Sequence, residues 1–195
     1  MLLYKFITMQ IKIVFISILI FTQVSKADIG KETSLEIPRY VSLKSNDANI
    51  RVGPGKNYPI EIKYINKNYP LKVIDEYAEW RKVEDFRKNI GWIHKSLISG
   101  MRTGIVLSKD NKKIELFNTF EGNIVGEIGQ GNIINLEKCK IDSCLVSKGN
   151  FRGWMDKKYI WGVEEEEIIK ISFFQSIEDI YWHSINFLNQ IKIDY

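Results

Sequence analysis

The stretch Gly91-Trp92-Ile93-His94-Lys95-Ser96-Leu97-Ile98-Ser99-Gly100 lies without a gap over Gly153-Trp154-Met155-Asp156-Lys157-Lys158-Tyr159-Ile160-Trp161-Gly162, 62 residues further on. Both glycines, the tryptophan and the lysine recur in place, which marks a duplicated module of about 60 residues. Upstream, Asn49-Ile50-Arg51-Val52 finds a weaker echo in Lys113-Ile114-Glu115-Leu116, and Trp80 falls opposite Ser143.

Around the first copy the pattern is that of strands. Ala48, Ile50 and Val52 alternate with Asn49 and Arg51, and Ile60, Ile62 and Tyr64 alternate with Glu61 and Lys63. Leu71 and Val73 continue the alternation, and helical spacing is absent. Gly53-Pro54-Gly55-Lys56-Asn57-Tyr58-Pro59 interrupts the run as a loop, because proline sets φ, glycine accepts positive φ, and neither favours a central strand. His94 to Leu97 suits one 3₁₀ turn. The second copy reads as strands over 112–117, 124–128, 132–136, 144–147 and 151–155, with glycines between them. Five short strands in about 60 residues fit a small, partly open barrel. The expected fold is therefore mainly β, two small barrels in tandem over 38–100 and 101–163, followed by a C-terminal amphipathic α-helix.

That helix is expected over 165–190, within an acidic tail of residues 164–195. Glu164 to Glu167 form an acidic run that would favour a helix start. Phe173, Ile177, Ile180, Tyr181, Ser184, Leu188 and Ile191 follow at helical spacing. With Lys170 and Lys192 as its only bases, the tail has three uses open to it: packing on the barrels, self-association, or a membrane surface.

At the other end, Lys12 precedes an apolar run from Ile13 to Phe21, and Ser25-Lys26-Ala27 offers small residues before Asp28. Residues 1–27 are read as a signal peptide cleaved between Ala27 and Asp28, starting at Met1 or Met9. The whole chain carries 28 basic and 24 acidic residues. Without Lys5, Lys12 and Lys26 the remainder has 25 bases against 24 acids, so it is no polycation for nucleic acid. The charge is polarised instead, with seven acids and two bases in 163–195.

Two cysteines and two histidines exclude a zinc-finger array and an iron–sulfur cluster held by four cysteines. In an exported chain Cys139 and Cys144 are read as a local disulfide pinning the turn Lys140-Ile141-Asp142-Ser143 between neighbouring strands. That leaves no thiol to pair with His94, and His183 has no productive neighbour, so no catalytic residue and no cofactor is expected. Gly129-Gln130-Gly131 lacks the lysine and helix of a phosphate loop.

Ala48-Asn49-Ile50-Arg51-Val52-Gly53-Pro54-Gly55-Lys56-Asn57-Tyr58-Pro59-Ile60 resembles the opening motif of bacterial SH3-like (SH3b) domains, a strand reading Asn-hydrophobic-Arg followed by Gly-Pro-Gly and an aromatic with proline. Trp80-Arg81-Lys82-Val83 and Gly91-Trp92-Ile93 resemble the later strands of that family, and the tandem layout with its cysteine pair resembles exported proteins with two such domains. The second copy lacks Gly-Pro-Gly and the arginine. The resemblance implies a non-enzymatic binding protein of the cell envelope, periplasmic or extracellular, whose ligand is cell-wall peptide or a protein. By analogy with peptide-binding grooves it points to Asn49, Arg51, Asn57, Tyr58, Trp80 and Trp92 as ligand-binding residues. Arg51 would clamp a carboxylate, or satisfy carbonyls of its own loop. Tyr58 and Trp80 would stack on a peptide or sugar face, and Trp92 would either join them or belong to the core. A scaffold protein acting through its C-terminal helix is the alternative.

Overall fold

The computed structural model describes residues 28–119 and 122–170, so the expected leader and its cleavage junction at Ala27 lie outside them, as does the chain beyond Lys170. A small hairpin of β1 (Asp28–Ile29) and β2 (Glu36–Ile37) precedes two antiparallel sheets. The first holds β3 (Arg39–Leu43), β4 (Ala48–Arg51), β5 (Ile60–Tyr64), β6 (Pro70–Tyr77), β7 (Trp80–Glu84), β8 (Ile90–His94) and β9 (Ile98–Ser99). The second holds β10 (Thr103–Val106), β11 (Ile114–Phe117), β12 (Ile124–Ile128), β13 (Ile133–Cys139), β14 (Ser143–Lys148), β15 (Phe151–Asp156) and β16 (Ile160–Trp161). Strand order is β5-β4-β8-β7-β6-β3-β9 in one and β12-β11-β15-β14-β13-β10-β16 in the other, the same arrangement strand for strand.

Register makes the duplication residue-specific. Arg51 pairs with Trp92 and Phe117 with Trp154, while Trp80 faces His94 and Ser143 faces Asp156. The ladder slips after Ile50 in β4 and after Leu116 in β11. Ile50 therefore corresponds to Leu116, two residues beyond the alignment that the side-chain pattern suggested. The shared Gly-Trp motif also has a steric reason. A Cβ at Gly91 would come within 2.3 Å of Ile50 Cγ2, and one at Gly153 within 2.9 Å of Leu116 Cβ. Both glycines face inward where two strands cross closely, and their tryptophans face out.

Each sheet encloses its own apolar cluster, around Leu43, Leu71, Val83 and Ile93 in the first and around Leu116, Ile134, Val146 and Met155 in the second. β3 of the first sheet and β10 of the second escaped the sequence reading. β3 buries Val41, Ser42 and Leu43 in succession, and all four residues of β10 are buried. Both strands lie where the sheets meet, covered on both sides, so the period-two signal vanishes. There Ser42 Oγ lies 2.6 Å from Thr103 Oγ1, and Thr103 donates to the Asn68 carbonyl at 2.7 Å. Tyr40 and Trp161 meet edge to face at 5.3 Å.

The disulfide Cys139–Cys144 is present and joins opposed residues of β13 and β14. The acidic run does not open a helix. Residues 164–170 form a turn and a short bridge, in which Ile169 exchanges backbone hydrogen bonds with Cys139. Lys157 Nζ donates to the carbonyls of Glu165 and Glu167 at 2.8 and 2.7 Å. Arg102 grips the Glu167 carboxylate, and Lys72 meets Glu164 at 2.6 Å. Carbonyls that would accept helical amides are thus taken by a lysine, and the carboxylates bind cations of the body instead of a helix dipole. The remainder of the expected helix lies outside the described residues.

Candidate functional site

On β4 Ala48 and Ile50 point into the core, which turns Asn49 and Arg51 outward. On β7 Arg81 and Val83 are buried and Trp80 and Lys82 face out; on β8 Gly91 and Ile93 are buried and Trp92 and His94 face out. Register lines these side chains up across the strands. Arg51, Trp92, Lys82 and Asp75 stand opposite one another in one row, and His94, Trp80 and Tyr77 in the next. Directly opposed side chains on one sheet face are in contact range. Trp80 and His94 meet edge to face at 5.4 Å, while His94 Nδ1 accepts the Ser96 amide and so caps the 3₁₀ turn Lys95–Leu97.

The loop 53–59 closes one end of this face. Arg51 Nη1 donates to the Tyr58 carbonyl at 2.6 Å, Val52 N to the Pro59 carbonyl, and Tyr58 N to the Gly55 carbonyl. The Tyr58 ring lies over Gly53, where a Cβ would come within 2.4 Å of the ring, and is itself 47% exposed. Val52 and Ile60 beside it are about half exposed as well, giving the loop an apolar flank. Arg51 thus holds its own loop from the outward side of β4, opposite Trp92 in the ladder.

Of the six residues singled out from sequence, Arg51, Trp92 and Tyr58 come together, with Trp80 one step along the sheet. Asn49 shares the outward side of β4, on the far side of Arg51, and Asn57 is exposed in the loop. Lys82 and His94 belong to the same face and were missed, although alternation through Trp80 and Trp92 places them there. The second sheet keeps the tryptophan but changes its neighbours. Phe117, Trp154, Leu145 and Lys138 form its equivalent row, with Lys140 Nζ 4.7 Å from the Trp154 ring centroid. Among the described residues no three His, Cys, Asp or Glu side chains are placed to share a metal, and no helix is long and apolar enough to cross a membrane.

Residues 44–100 match the family model of the bacterial SH3 domain. No curated protein matches the chain. Among solved structures, NlpC2 from Trichomonas vaginalis aligns at 7% identity over 66% of this chain and 49% of its own, with a TM-score of 0.29. An NlpC/P60 family protein from Bacillus cereus ATCC 10987 aligns at 12% identity over 63% and 55%, with a TM-score of 0.28. NlpC1 from T. vaginalis aligns at 9% over 68% and 48%, also at 0.28. The chain spans about half the length of these proteins.

Proposed function

From the premise that residues 44–100 are a bacterial SH3 domain, we propose that the protein is an exported binding module of the cell envelope, with two SH3-like barrels in tandem, that recognises cell-wall peptide through the outer face of β4, β8 and β7. The observation that carries this reading is Arg51 paired with Trp92 on the outward side of the sheet, its guanidinium fixed to the Tyr58 carbonyl of a loop whose exposed Tyr58 ring covers Gly53, with Trp80 one step along the sheet. A guanidinium beside aromatic faces suits a carboxylate-bearing peptide, the cation pairing with the carboxylate and the rings covering the apolar stem. The disulfide supports export, since such bonds persist in oxidising compartments. We read the module as one that binds without cutting: both cysteines are closed in the disulfide, and the Ser96 hydroxyl, 2.8 Å from His94 Nδ1, belongs with that ring to the cap of the 3₁₀ turn.

The test is retention of the whole chain on isolated peptidoglycan, beside a Tyr58→Ala/Trp80→Ala variant whose fold is verified by circular dichroism. Retention lost in the variant, with no soluble fragments released from the wall, supports the proposal. Equal retention of both proteins removes the outer face as the site. No retention of either transfers recognition to a protein ligand.

A further inference from the structure

Where the two sheets meet, a cleft of about 350 Å³ opens that none of the six sequence-identified residues lines. Its volume is near the lower end for small-molecule sites. One wall is aromatic: Tyr64 and Tyr69 have ring centroids 4.7 Å apart, and Phe86 follows 6.4 Å from Tyr69. Ile105 and Ile133 of the second sheet form the facing wall, so the site exists only because the two sheets are joined.

Of the charged groups lining the cleft two are already committed and one is not; Lys63 Nζ meets Asp47 at 2.9 Å. Asp85, 2% exposed, accepts the Tyr64 hydroxyl at 2.7 Å, the Arg87 and Asn89 amides at 2.8 and 2.9 Å, and Asn89 Nδ2 at 2.9 Å. Burial opposes its ionised form, but these donors outweigh burial and hold its pKa below the ordinary aspartate value. The acid of the cleft is therefore spent on shaping the loop 85–89. Arg87 is exposed, with its guanidinium 5.1 Å from the Phe86 ring, and has no acidic partner at ion-pair distance among the described residues. A cation laid on an aromatic face at the mouth of a pre-shaped apolar cleft is a receptor for an anion that carries an apolar flank.

We propose that this cleft binds a carboxylate flanked by an apolar or CH-rich surface, with Arg87 taking the carboxylate while Tyr69, Phe86 and Ile133 cover the flank. Two sources share that chemistry, the C-terminal end of a short peptide and an acidic amino sugar. The site is separate from the outer face and does not rest on it.

Calorimetric titration of the whole chain tests it with two matched pairs, N-acetylmuramic acid against N-acetylglucosamine and alanyl-alanine against its C-terminal amide. The same titrations are made with Arg87→Gln, an exposed position whose fold is checked by circular dichroism, and with Trp80→Ala. At least one carboxylate-bearing probe is expected to bind, and its neutral counterpart and R87Q to lose about ten-fold or more, as a charge-assisted hydrogen bond implies. Binding of the sugar alone or the dipeptide alone names the source and supports the site. W80A should bind as the unaltered protein does, whatever the peptidoglycan retention experiment shows. Absence of binding by either carboxylate, equal binding by the neutral partners, unchanged binding in R87Q, or loss in W80A overturns the proposal.

Discussion

Glu76 in the first sheet and Cys139 in the second stand at the same point of the fold. Glu76 pairs across the β6–β7 ladder with Arg81, and Cys139 pairs across the β13–β14 ladder with Cys144. A buried ion pair, Arg81 Nε to Glu76 Oε1 at 3.4 Å, thus takes the place of the disulfide. Each also ties down the segment outside its sheet. The Glu76 carboxylate accepts the amides of Glu32 and Thr33, the Thr33 hydroxyl and Arg39 Nη2 at 2.7 to 3.0 Å. Cys139 exchanges backbone hydrogen bonds with Ile169.

Removing the Glu76 carboxylate leaves Arg81 buried without its partner and deprives Arg39 and the 32–33 amides of their acceptor. Glu76→Ala is expected to cost about 3 kcal/mol or more, the usual penalty for breaking a buried pair. Urea unfolding measures the loss.

Acid should act through the same group. Burial alone would raise the Glu76 pKa, but the bonds from Thr33, Arg39 and the two amides outweigh it and lower the value from 4.5 to about 2. A depressed folded pKa contributes stability that is complete above the unfolded value and is lost as pH falls from about 4.5 towards 2. Asp85 and Glu167 are shifted in the same direction. Melting temperature should therefore drop across that window, and less steeply in Glu76→Gln, which cannot titrate there.

The disulfide closes a short ring, and its loop-entropy contribution is about 2 kcal/mol. A Cys139→Ala/Cys144→Ala variant should unfold at lower urea by that amount, and addition of reductant should bring the unaltered protein to the same midpoint. A midpoint unmoved by either treatment would show that the β13–β14 turn holds without it.

Gly53→Ala changes no side chain offered to a ligand, yet its methyl would occupy space now held by the Tyr58 ring, 2.4 Å away. Displacement of the ring should cost about 1 to 3 kcal/mol of stability. It should also weaken retention on peptidoglycan as Tyr58→Ala does, which pull-down and urea unfolding would read together.

Much of this was legible in the sequence where one side of a strand meets water. Ala48 and Ile50 alternate cleanly with Asn49 and Arg51, although the slip after Ile50 turns Val52 out to solvent, and Gly53 to Pro59 can be little but a loop. β3 and β10 were silent because Ser42 and Thr103 are buried beside apolar neighbours, which erases alternation. Trp92 could be assigned to the outer face only once Gly91 was seen pressed against Ile50, and Arg51 proved to hold Tyr58 as well as face outward. The cleft at Arg87 brings together residues from both copies, and no local pattern reports such a meeting. Glu164 to Glu167 misled because a helix dipole was weighed as their partner, whereas Arg102, Lys72 and Lys157 stand closer to hand.

The ring contacts at the junction make it optically readable. From Tyr64 through Tyr69, Phe86 and Trp161 to Tyr40, successive centroids are 4.7 to 6.4 Å apart. Trp80, Trp92 and Trp154 lie on outward faces of the sheets, away from that run. With those three and Trp182 replaced by phenylalanine, Trp161 is left as the single tryptophan of the chain, fed by neighbouring tyrosines. Its emission would shift to the red and lose the transferred tyrosine excitation as soon as the two halves part, reporting their separation apart from the melting of either.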